Sequence, residues 1–105
     1  MTTRRRGVRA RSDFFSDLDR QLRGERGPNG EPSVNDFQTL ELFEIIERFA
    51  VGFDDLPALF PNRGDYRILI STGKLVRAFS VVGQLSADGS VELVSLDIDL
   101  GDDWS

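Results

Sequence analysis

Asp88-Gly89 lies between two apolar runs that alternate with polar residues, "LVRAFSVVGQL" and "VELVSLDIDL". Asp-Gly in that setting is the strongest short-range hairpin signal, because glycine reaches positive φ without a steric cost. The pair therefore commits the end of the chain to antiparallel strands. Thr72-Gly73, within "STGK" (71–74), is a weaker signal of the same kind after "YRILI". Residues 66–100 thus read as a three-stranded antiparallel meander.

Taking both pairs as two-residue turns sets the register. Phe79 then faces Ile98, Val81 faces Leu96 and Gly83 faces Val94. Across the other turn, Ile70 faces Leu75 and Tyr66 faces Phe79. Both turns place Tyr66, Ile68, Ile70, Leu75, Phe79, Val81, Val94, Leu96 and Ile98 on one side, which helices should cover. The opposite side would carry Arg67, Lys74, Ala78, Ser80, Gln84, Ser95, Asp97 and Asp99, with Leu69, Val76, Val82, Val91 and Leu93 among them. One row reads Arg67, Ala78, Asp99, where the short alanine lets the arginine reach the carboxylate. Arg77 falls on the apolar side near the strand ends, its stem packed and its head in water.

Upstream, "GVRARS" alternates like a short first strand. Ser12 is the expected N-cap of a helix over 13–23, with Asp13 and Asp17 early in it and Phe14, Phe15, Leu18 and Leu22 on one face. Gly24 is the expected stop. "GERGPNGEPS" (24–33) is a loop by its glycines and prolines. Ser33 and Asp36 form a capping pattern for a second, longer helix. Along it, Leu42, Ile45, Ile46, Phe49, Phe53 and Leu56 share one face, and Phe37, Leu40 and Phe43 another. Pro57 ends or bends it, and "FPNRGD" (60–65) is a turn. The fold class is α+β: a short N-terminal strand, a two-helix hairpin, then the meander, in a single domain over 1–105.

Composition narrows the chemistry. The 105 residues contain no cysteine and no histidine. That removes thiolate chemistry, disulfides, the usual neutral-pH base and the commonest metal ligand. Catalysis here would rest on Arg, Lys, Tyr, Asp or Glu. No apolar run approaches the roughly 20 residues that span a bilayer. "MTTRRRGVRARS" has no apolar signal core, so a cytoplasmic protein that avoids membranes is expected. The net charge of −5 is uneven. Residues 1–30 carry eight arginines against four acids, +4, and residues 31–105 five bases against fourteen acids, −9. Residues 1–6 read as a flexible basic arm, either simply solvated or touching nucleic acid or an acidic partner.

Each candidate site has a plain alternative. "STGK" lacks the first glycine, the hydroxyl residue and the following helix of a phosphate-binding loop, so nucleotide binding is not expected. Asp97 and Asp99, at i and i+2 on a strand, point the same way and could hold Mg²⁺, with Asp102 and Asp103 adding ligands, or simply face solvent; oxygens from separate elements are not evident and no cofactor is expected. Arg67, Lys74 and Arg77 could stabilise developing negative charge without a metal, or serve local ion pairing. Trp104 either folds back on the body or meets a partner.

With "VRARSDFFSDLDRQL" as first strand and helix, "YRILI" as the strand after the helices and "VELVSLDID" as the last strand, the chain resembles the RelE/ParE superfamily of bacterial toxins. The resemblance covers nearly the whole chain. It implies the toxin of a type II toxin–antitoxin module, held inactive by a cognate antitoxin. RelE-like members cleave ribosome-bound mRNA without metal, and ParE-like members act on DNA gyrase. By position, Arg67, Lys74 and Arg77 would be the catalytic cations of an endoribonuclease, and Asp97, Asp99 and Trp104 would meet the partner. The chain departs from the RNA-cleaving pattern in its acidic body and its ending "DIDLGDDWS", where carboxylates would repel phosphate. A non-enzymatic acidic protein-binding module on the same scaffold is the other expectation. The sequence leaves the oligomeric state open.

Overall fold

The computed structural model describes residues 5–22, 24, 27, 28 and 32–100. In chain order the elements are β1 (Val8–Ala10), α1 (Ser12–Gln21), α2 (Val34–Leu40), α3 (Leu42–Gly52), a 3₁₀ turn (Phe53–Asp55), β2 (Ala58–Phe60), β3 (Arg63–Ser71), β4 (Ala78–Leu85) and β5 (Val91–Asp99). The α+β class holds. The meander is the centre of a five-stranded mixed sheet, ordered β1-β5-β4-β3-β2, with β1 parallel to β5 and the other pairs antiparallel.

The helices cover one face. Phe14 and Leu18 of α1, Phe37 of α2, and Ile45 and Phe49 of α3 are fully buried against Val81, Val91 and Leu93 of the sheet. The Phe37 ring meets Phe79 edge-on at 6.2 Å. Helix α1 lies along β5 and completes its edge. β1 pairs only with Val91–Leu93. Beyond it, the Asp17 carboxylate accepts the Leu96 N–H (3.0 Å), and Gln21 bonds both the Leu96 carbonyl (2.7 Å) and the Ile98 N–H (2.6 Å). Two polar side chains thus satisfy backbone groups that a longer β1 would have paired.

The helical expectations are corrected in three places. α1 begins at Ser12, with Arg11 at the N-cap and no side-chain cap bond, and it ends at Gln21 before Gly24. The capping box is present: Ser33 Oγ accepts from Asp36 N, and Ser33 N donates to Asp36 Oδ2. The single long helix is instead two, broken at Glu41. Because of the break, Leu40 and Phe43 do not join Phe37 inside; Phe43 is 66% exposed. Leu56 is extended ahead of Pro57, as a residue before proline prefers.

The sheet departs from the expected register at both turns. "FPNRGD" is more than a turn: Pro61-Asn62, with Asn62 at φ 66°, joins β2 to β3. Thr72-Gly73 is not a two-residue hairpin turn. Residues 72–77 form a loop, and Tyr66 pairs with Gln84 and Ile70 with Ser80. Relative to the expected partners this is a shift of five positions, an odd number, so β3 is inverted. Leu69 is buried and Ile70 is 71% exposed. Leu75 and Val76, expected in β4, fold inward from the loop.

At the second turn, Phe79 opposite Ile98 and Val81 opposite Leu96 are as expected. Gly89 has φ 88° and donates its N–H to the Ser86 carbonyl, making the loop one residue longer than Asp88-Gly89 alone. A bulge at Val94 restores the register, and Gly83 pairs with Leu93 in place of Val94. Val91 and Leu93 therefore enter the core, against the expectation that they lie on the open side.

Of the arm read over 1–6, residues 1–4 lie outside the described residues. Arg5 forms a two-pronged pair with Glu47, 2.7 Å at each prong. Arg6 donates its backbone N–H to Ala50 and its guanidinium to the Gly89 carbonyl. Trp104 also lies outside the described residues. No helix among them is long and apolar enough to cross a membrane.

Candidate functional site

The three candidate cations, Arg67 and Lys74 expected on the open face and Arg77 at the strand ends of the apolar one, are not brought together. The inversion of β3 puts Arg67 on the helix-covered side, level with Gly83. Its guanidinium donates to the carbonyls of Gly64 (2.8 Å), Leu56 (2.8 Å) and Asp54 (3.2 Å) and stacks over Phe53. It ties the 3₁₀ turn to the β2–β3 hairpin. Ala78 pairs with Asp99, five positions along β4 from Gly83, so Arg67 is about 17 Å from the row that was to hold its partner.

Lys74 and Arg77 both belong to the 72–77 loop. Lys74 Nζ is 2.6 Å from Glu44, and the hydrogen bond and charge of Glu44 raise the lysine above its ordinary pKa. Arg77 takes the role foreseen for Arg67, at 4.0 Å from Asp99. The loop is held from below by Glu41, a residue the sequence reading passed over. Glu41 is 2% exposed, and its carboxylate accepts the N–H groups of Lys74 (2.8 Å) and Leu75 (3.0 Å). A Cβ on Gly73 would collide with Glu41 Oε2 and come within 2.8 Å of the Val76 carbonyl. Glycine is there for space. The signal existed: Phe37, Glu41, Ile45 and Phe49 recur every four residues, and a carboxylate in an otherwise apolar helical row points to a buried acid with a dedicated donor.

The side of the sheet away from the helices is uncovered among the described residues. Near β2 it carries Tyr66, with the Phe60 ring edge-on at 5.6 Å and the Arg63 guanidinium at 5.1 Å. Tyr66 is on this side for the same reason as Ile70. Arg9 of β1 pairs with Glu92 of β5 at 3.4 Å. At the other end, Ile70, Ala78, Phe79, Ser80, Asp97 and Asp99 line a shallow groove of about 230 Å³. Its floor is apolar and its acidic rim comes from one strand, β5. No group of three or more acids that could share a metal occurs among the described residues. The arrangement offers shape, apolar area and negative charge; it does not bring together an acid, a base and a charge stabiliser.

Set against known proteins, the chain matches no family model, no curated protein and no solved structure.

Proposed function

We propose that this chain is the toxin-like member of a bacterial toxin–antitoxin pair on a RelE/ParE-type scaffold, working in the cytoplasm by docking proteins on the uncovered sheet face. The observation that carries the reading is Ile70, 71% exposed on that face beside Asp97 and Asp99. Together with Phe60, 47% exposed beside Tyr66 near the other end of the same face, it leaves apolar area in water that a partner would cover. The −9 over residues 31–105 favours a basic, amphipathic antitoxin. It also favours a protein target, such as the gyrase of ParE-like toxins, over ribosome-bound mRNA. A metal-independent endoribonuclease would need Lys74 and Arg77 to leave Glu44 and Asp99, and would need a third group in place of Arg67.

Inducible expression in a bacterial host tests this. The wild-type chain is expected to arrest growth. Ile70→Asp is expected to relieve the arrest with an unchanged unfolding midpoint, since that side chain packs on little. The double variant Lys74→Gln/Arg77→Gln is expected to keep it. The opposite pattern would favour the endoribonuclease. A wild-type chain that never arrests growth would leave the second reading, a non-toxic acidic binding module using the same face.

A further inference from the structure

Resting on the reading that the uncovered sheet face is where a protein partner docks, we propose that the groove beside Ile70 is a slot for an arginine side chain from an amphipathic partner segment. β5 presents three carboxylates to this side. Glu92 is held by Arg9 at 3.4 Å, and Asp99 has Arg77 at 4.0 Å. Asp97 has no cation partner among the described residues and stands exposed opposite Ser80. In front of it lie Ile70 and Ala78, an apolar floor too small to attract a whole hydrophobic helix by itself.

That combination selects the occupant. A purely apolar side chain would satisfy Ile70 and leave Asp97 desolvated without a partner. A bare cation would satisfy Asp97 and leave Ile70 in water. A metal ion would want more oxygens than one strand supplies. An arginine does both: its methylene stem lies on Ile70 and Ala78, and its planar guanidinium offers two parallel N–H donors to the Asp97 carboxylate. Arg77, already beside Asp99, bounds the groove at the loop end and disfavours a second cation there.

The test uses the full chain and an acetylated, amidated eight-residue peptide of alternating arginine and leucine at low salt. A second peptide has citrulline, the neutral isostere, in place of arginine. Binding is followed by backbone amide shifts. The arginine peptide is expected to shift the amides of Ile70, Ser80 and Asp97. Asp97→Asn should weaken it by about two- to fivefold, the range for one exposed ion pair. Glu44→Gln, which removes the same charge from the helical side, should leave the affinity unchanged. The citrulline peptide should bind more weakly and be insensitive to Asp97→Asn. Equal losses for Asp97→Asn and Glu44→Gln would mean the peptide senses only net charge, which overturns the slot. Equal binding of the citrulline peptide would overturn it while leaving the face as a docking surface. Shifts centred away from β3, β4 and β5 would overturn both.

Discussion

Replacing Glu41 by alanine removes the clamp under the 72–77 loop, and its cost follows from what the carboxylate touches. Glu41 is 2% exposed and accepts two backbone N–H groups, at 2.8 and 3.0 Å. A hydrogen bond to a charged group contributes about 1.5–3 kcal/mol. The two together are offset by relief of the carboxylate's own burial and by rehydration of the Lys74 N–H in the variant. A net loss of about 2–3 kcal/mol is expected. For a domain of this size that lowers the melting temperature by about 10–20 °C. Glu41→Gln keeps the shape and one acceptor oxygen and should lose roughly half as much. Thermal and urea unfolding give the magnitudes. Amide hydrogen exchange at Lys74 and Leu75 shows whether the loss is local, and it should accelerate selectively there. An alanine variant within about 0.5 kcal/mol of wild type, or one with unchanged exchange at those two amides, would refute the clamp.

Three further outcomes are expected. Arg67→Ala should destabilise the fold by about 1–3 kcal/mol in urea, and Arg67→Lys should not restore it, because an ammonium cannot reproduce a planar fork shared among three carbonyls; full stability in either variant would remove the structural role. Gly83→Ala would place a Cβ 2.8 Å from Phe49 Cδ1 and 3.1 Å from Val91 Cγ1, an overpacking cost of about 1–3 kcal/mol by the same assay, whereas Gly52→Ala, where a Cβ meets nothing, serves as the tolerated control. Ser90 hydrogen bonds hold Asp88 below its ordinary pKa, and hydrogen bonds from Arg5 and Arg63 do the same for Glu47 and Asp65. Because these folded-state values are depressed, their stabilisation is complete above the unfolded values near about 4 and is lost as pH falls through the folded ones. The urea midpoint should hold from neutral pH to about 5 and decline below about 4; a flat midpoint through acid would contradict the pairs.

What the sequence made legible was whatever a local rule decides. The Ser33–Asp36 box, the α+β class and the pairing of Phe79 with Ile98 rest on short-range chemistry or on apolar alternation in both partners. What it hid rests on distant residues. Two-residue turns at Thr72-Gly73 and Asp88-Gly89 agreed on one apolar set, yet β3 carries apolar residues at both parities: Ile68 and Ile70 on one, Leu69 on the other. Alternation therefore cannot fix its face. The choice is made by Glu41, thirty-odd residues upstream, which captures the loop N–H groups and turns Leu75 and Val76 inward. The third to fifth strands of the sheet were read as one meander; β2 escaped because a strand of three residues between two prolines has no periodicity to show.

The parity of β3 also decides what kind of site the molecule can have. With β3 in the expected register, Arg67 would stand on the open face beside Asp99 and Ile70 would be buried. With the register observed, the two exchange sides. Arg67 becomes a brace for the 3₁₀ turn, and Asp99 is left to Arg77. The open face gains an isoleucine and keeps its carboxylates. A polyanion approaching that face meets Asp97 and Asp99, while the cations placed there among the described residues, Arg9, Arg63 and Arg77, each already face a carboxylate; such acidic charges lower affinity for phosphate. A basic amphipathic chain approaching the same face meets apolar area and an unpaired carboxylate together. A five-position shift in one strand pairing thus exchanges a cation for an apolar side chain on a face that is acidic in either register.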